Sequence, residues 1–173
     1  MHVKYLLPAA TLLLACSLPA LAQDKGYWIP LSSSAKDITG EIAIADARLT
    51  MDYFNFPLGQ IRVLQPAEAS ALFDADVNAP GGGNLYRLAV AANRRFLRKN
   101  TLCGSDDVQW MVTWVQGRTL SVSFFSGPNP PVFTMDALAN TTDRCGTFTY
   151  SRRPPLFPDS ARLGKIEEFL VGL

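Results

Sequence analysis

The chain has 173 residues, 48% of them hydrophobic and 18% charged, with 16 Lys+Arg against 15 Asp+Glu. That length suits one domain with a buried core, and that apolarity excludes a disordered chain. The near-zero charge balance excludes a nucleic-acid binder working through bulk positive charge.

Residues 1–22 read as a secretory signal: Lys4 supplies a positive start, an apolar stretch follows, and Ala20-Leu21-Ala22 offers a small-x-small cleavage site. The stretch is short and interrupted by Pro8 and Pro19, which disfavours a membrane anchor. A rival lies in Leu13-Leu14-Ala15-Cys16, which resembles a lipobox and would tether the chain to a membrane through Cys16; soluble periplasmic or secreted export is preferred. Cleavage after Ala22 removes Lys4, leaving 15 cations against 15 anions. It also removes His2, the one histidine of the chain. A mature protein without histidine can assemble neither a Ser-His-Asp nor a Cys-His nucleophile, nor a His-ligated metal site. The expectation is a non-enzyme with no metal and no cofactor.

A first strand is expected over 26–31, confined to an edge or strand end by Pro30. Residues 37–44 alternate, with Ile38, Ile42 and Ile44 on one face, and 48–53 continue with Leu49, Met51 and Tyr53. A turn holding Asn55, Pro57 and Gly59 precedes a strand over 60–64 with Ile61 and Val63 inward. Pro66 opens a short helix that runs to Phe73. Residues 74–84, with Pro80 and three consecutive glycines, read as the clearest flexible loop. Its opening, Asp74-Ala75-Asp76-Val77-Asn78, resembles a calcium loop for five residues, then puts Ala79 at the glycine position and Leu85 at the glutamate position; a solvated loop is preferred.

A strand over 85–91 leads into the one notable charge run, Arg94, Arg95, Arg98 and Lys99 around Phe96. Arginines beside an aromatic suit a polyanion or acidic partner, whereas cations on a strand edge also discourage sheet-to-sheet aggregation. Cys103 and Cys145, each followed by glycine, are expected to form a disulfide spanning 42 positions; a C-x-x-C spacing and a third ligand are both lacking. Pairing would fix the strand at 145–150 beside the strand that starts after Cys103. Val108, Trp110, Val112 and Trp114 alternate along that strand, and after a turn at Gln116-Gly117 so do Leu120, Val122 and Phe124, a strong hairpin signal. Residues 126–131 must be irregular, with three prolines. Asn140-Thr141-Thr142 is a glycosylation sequon, discounted for a bacterial-style leader. A final helix is expected over 159–170, with Leu163, Ile166, Phe169 and Leu170 docking on the sheet.

The fold class is therefore all-β: about eight short, mainly antiparallel strands in a small barrel or sandwich over 23–173, with a short C-terminal helix packed on the sheet. The leading function is an exported, non-catalytic binding or interaction domain whose partner is an envelope or secreted macromolecule, met through the loops at 74–84 and 126–131 and the basic segment. The alternative is a small-ligand carrier, its apolar barrel cavity lined by Trp110 and Trp114 with Trp28 or Phe124 opposite. A carboxylate-based hydrolase ranks third, because neighbouring acids such as Asp106 and Asp107 diverge on a strand. In architecture alone, without a shared motif, the plan resembles small bacterial periplasmic binding or inhibitory modules, lysozyme inhibitors among them.

Overall fold

The computed structural model of the chain describes residues 23–153. The expected signal and the expected helix at 159–170 lie outside them. The described residues form ten strands: β1 (Gly26–Pro30), β2 (Ile42–Ala45), β3 (Arg48–Met51), β4 (Phe54–Pro57), β5 (Gly59–Val63), β6 (Gly81–Gly82), β7 (Asn84–Val90), β8 (Val108–Gln116), β9 (Thr119–Phe125) and β10 (Arg144–Arg152). Two helices accompany them, α1 (Pro66–Phe73) and α2 (Met135–Asn140). All pairings are antiparallel, in the order β4-β3-β2-β1-β10-β9-β8-β7-β5, with β6 against β8. The sheet is thus two meanders, β1 to β4 and β7 to β10, joined where β1 meets β10, and it curls into a nearly closed barrel.

Each side of the sheet has its own core. The barrel interior is filled by Trp28, Ile42, Leu49, Met51, Phe56, Tyr86, Met111, Leu120, Phe124, Phe148 and Tyr150, all buried. Outside, α1 and the chain around Phe133 cover β7 to β9, burying Leu64, Leu72, Leu85, Trp110, Val112, Trp114 and Phe125. Strand β8 is therefore sandwiched, which is why it carries apolar residues on both faces, Met111 and Val115 inward and Trp110, Val112 and Trp114 outward.

Several sequence expectations hold. Helix α1 spans the expected residues, with Pro66 in its first turn and a capping box between Gln65 and Glu68. Arg62 forks onto Glu68 with two 2.7 Å hydrogen bonds, holding that carboxyl below its usual range. The β8–β9 hairpin forms with Gly117 at φ +60° in its turn. Cys103 and Cys145 are disulfide-bonded, their Cα atoms 4.6 Å apart.

Others need correction. Ile38 lies in a wide helical turn, Ala35–Thr39, closed by the Gly40 N–H on the Ala35 carbonyl at 2.8 Å, and Thr39 hydrogen-bonds the buried Tyr150 hydroxyl at 2.6 Å. Tyr53 ends no strand: Asp52 and Tyr53 form a two-residue turn with φ of +46° and +64°, leaving Tyr53 96% exposed. The expected turn around Asn55 is strand β4. On the edge strand β5, Ile61 and Val63 are exposed rather than inward. The glycine-rich stretch is not loose, because β6 and β7 run as one ladder along β8, broken at Gly83, where a Cβ would lie 1.9 Å from the Thr113 carbonyl oxygen. Finally, β9 separates β8 from β10, so the disulfide links the connection before β8 to a strand two places away.

Candidate functional site

The basic segment does not form one patch. Phe96 is buried against Phe54 and Phe56, with ring centroids 6.2 and 6.1 Å away, and so belongs to the core. Arg98 pairs with Asp37 at 3.1 Å, Arg95 bonds the Ala92 carbonyl at 3.4 Å, and Lys99 sits in a turn at φ +62°. Only Arg94 reaches a concave surface, its guanidinium 4.4 Å from the Phe54 ring centroid. Arg152 lies over the Trp28 ring and Arg153 pairs with Glu41, apart from this segment.

Trp110 and Trp114 do not line the barrel interior. They point away from it into the outer core, where Trp110 donates to the Gly127 carbonyl at 2.8 Å and the Trp114 ring abuts Gly81. Alternation defines two faces of a strand but not which one turns inward. With Trp28 and Phe124 in the interior cluster, the four aromatics expected to face one another lie on opposite sides of the sheet.

Among the described residues, one buried polar cluster centres on a carboxylate. Asp24 is fully buried, and its Oδ2 accepts from the Tyr86 hydroxyl at 2.8 Å, from Asn84 Nδ2 at 3.0 Å and from the Thr113 hydroxyl. Burial, then the Asp24 charge, raise the Tyr86 phenol above its ordinary range. Three donors on Oδ2 fix the carboxylate in place, while its buried Oδ1 has no partner among the described residues.

The concave surface lies where the barrel fails to close. Strand β5 pairs with β7 only between Asn84 and Arg87, so the rest of β7 has a free side, and β4, paired only with β3, faces it. The chain crosses between these two walls at Leu58, whose N–H bonds the Ala47 carbonyl at 3.0 Å. Two features keep the seam from zipping shut. Pro57 lacks an N–H to offer β7, and β7 shifts register against β8 between Arg87 and Val90. The result is an open groove of about 1010 Å³, with Phe56, Leu58, Leu88 and Val90 along its floor and Asn55, Ala47, Ala89 and Ala91 on its lips. That is at the upper end of the range of about 300–1,000 Å³ common for ligand sites.

Charge at the seam is carried by Arg87, Arg94 and Asp107. Asp107 accepts the Ala92 N–H at 2.8 Å. Arg87 lies 4.5 Å from the centroid of the Trp110 ring and donates through Nη2 to Gln109, while its buried Nη1 has no partner among the described residues. Neither Arg87 nor Arg94 pairs with a carboxylate among the described residues.

Of the sequence-predicted binding residues, the seam thus gathers Arg94 alone, with Phe96 packed beneath its Phe54. Arg87, Phe56 and the free side of β7 were missed. The available signal was Pro57 in an otherwise β-prone run, which marks an edge strand. Among the described residues, no helix is long and apolar enough to cross a membrane. Comparison with protein-family models, curated proteins and solved structures finds no match.

Proposed function

We propose that this chain is an exported, non-catalytic binding domain whose site is the open seam between β4 and β7. The observation that carries the reading is a sheet that stops short of closure on an apolar-floored groove of about 1010 Å³, flanked by two arginines without carboxylate partners among the described residues. Export is inferred from the leader-like pattern of residues 1–22 and fits a disulfide, which persists in oxidising compartments. The absence of catalysis is inferred from a sequence whose one histidine lies in that leader. The partner in this reading is an envelope or secreted macromolecule that offers an extended segment, because both walls of the seam are strands with a free side.

Selection from a random peptide library tests this, run in parallel on the wild type and on Ala89→Arg, which fills the groove from an exposed lip position. Peptides recovered with the wild type and lost with Ala89→Arg are expected. Equal recovery with both, or none with either, refutes the seam as a binding site. Fractionation of cells expressing the full chain, followed by a thiol count, tests export. Retention of the full chain in the cytosol with all three thiols free refutes it.

A further inference from the structure

Resting on that reading of the seam, we infer that the occupant is an acidic extended polypeptide, its main chain along the free side of β7 and its carboxylates on Arg87 and Arg94. Three observations converge. The part of β7 left free by β5, residues 88–90, lines the groove and faces β4 across the seam, so both walls suit an extended segment of about three residues, roughly 10 Å long. The two guanidiniums that reach the groove are already oriented, Arg87 by Trp110 and Gln109 and Arg94 by Phe54, so little side-chain freedom is lost when an anion docks. Arg87 Nη1 has no partner among the described residues, so the guanidinium keeps donor capacity that Gln109 does not use.

The electrostatic sign is consistent. Among the described residues, two cations against the one carboxylate of Asp107, itself engaged by a backbone N–H, leave the seam positive in a domain with balanced formal charge. The floor of Phe56, Leu88 and Val90 is apolar, so the complementary segment alternates, with aliphatic side chains toward the floor and acids toward the rim.

The test uses three fluorescein-labelled octapeptides, alternating Val-Glu, Val-Gln and Val-Lys, titrated against the full chain by fluorescence anisotropy at low and high salt. Val-Glu is expected to bind at least tenfold more tightly than Val-Gln, with the margin shrinking as salt rises, and Val-Lys more weakly still. Arg94→Glu, at an exposed position that leaves the fold intact, should reverse the order of Val-Glu and Val-Lys. Arg87→Gln, checked for an unchanged unfolding midpoint, should lower the Val-Glu to Val-Gln ratio to below about threefold. Equal binding of Val-Glu and Val-Gln, both abolished by Ala89→Arg, overturns the acidic preference while the seam reading stands. No binding by any octapeptide, together with an empty peptide selection, overturns both. Full competition by polygalacturonate, an acidic chain without peptide groups, or crosslinking of two copies through a photoreactive residue placed at Ala89, also overturns the inference, since the occupant is then a polysaccharide or a second copy.

Discussion

Reduction of the Cys103–Cys145 bond should cost the fold about 4 kcal/mol. The bond closes a span of 42 positions, and the chain-entropy relation for such a loop gives roughly 13 cal/mol/K lost from the unfolded ensemble, or about 4 kcal/mol at 25 °C. Both cysteines also pack against the barrel's interior cluster, so replacing them adds a packing loss that reduction alone does not. The two contributions separate experimentally. Guanidinium unfolding, followed by tryptophan fluorescence, is measured for oxidised wild type, for wild type in reductant and for the Cys103→Ala/Cys145→Ala variant. Reduced wild type retains every side-chain atom and reports the crosslink; the difference between it and the double variant reports packing, expected below about 2 kcal/mol. A thermal midpoint lower by roughly 10 °C accompanies the reduction, at about 2–4 °C per kcal/mol. A loss below about 1 kcal/mol on reduction would refute the reasoning, because the strands around the disulfide would then hold their places without it.

Four other outcomes follow from the same geometry. Gly83→Ala should destabilise by more than about 3 kcal/mol in chemical unfolding, since a Cβ there would sit 1.9 Å from the Thr113 carbonyl oxygen and against the β8 backbone; a loss under about 1 kcal/mol contradicts the close approach of Gly83 to β8. Asp24→Ala strands the three donors from Tyr86, Asn84 and Thr113 inside the barrel and should cost at least about 2 kcal/mol, more than Asp24→Asn; equal losses for the two variants would show that the carboxylate's acceptor role does not matter. Tyr53→Gly should raise stability by about 1 kcal/mol, because a 96% exposed side chain is removed from a φ of +64°; a lower midpoint would show that Tyr53 makes a stabilising contact. Burial raises the phenol of Tyr150, and that of Tyr86, above the ordinary value near 10. The native state therefore keeps protons that the unfolded chain releases, so stability present below pH about 10 falls as pH rises further, with a slope approaching about 1.4 kcal/mol per pH unit for Tyr150 alone. Unfolding curves between pH 9 and 12 that show no decline exclude burial of these phenols.

The candidate site was legible in the sequence only at one residue. Arg94 stood out in a charge run, but its neighbours in that run divide among a core aromatic, an ion pair with Asp37 and a turn, as expected when a short irregular segment presents successive side chains in different directions. Arg87 carried no local signal, since a lone arginine in a strand reads as a solvated position. Its role comes from Trp110 across the ladder and from the free side of β7 beside it.

What the sequence by itself determined are the features set by local chemistry. Period-two alternation and β-branched, aromatic composition specified antiparallel strands, Gly117 specified the hairpin, Pro66 with Glu68 specified α1, and two cysteines in a short chain specified their bond. Only the tertiary structure decided which side of each strand turns inward and where the sheet ends. Trp110 and Met111 are equally good core residues; the helix laid over β8 sends one outward and the other into the barrel. Ile61 and Val63 alternate with polar residues like any inward-facing pair, yet among the described residues nothing buries them. The seam is the sharpest case: whether β4 and β7 join depends on the meeting of segments some thirty residues apart, the reach of the Leu58 crossing and the register of β8, and no window of local sequence contains all three.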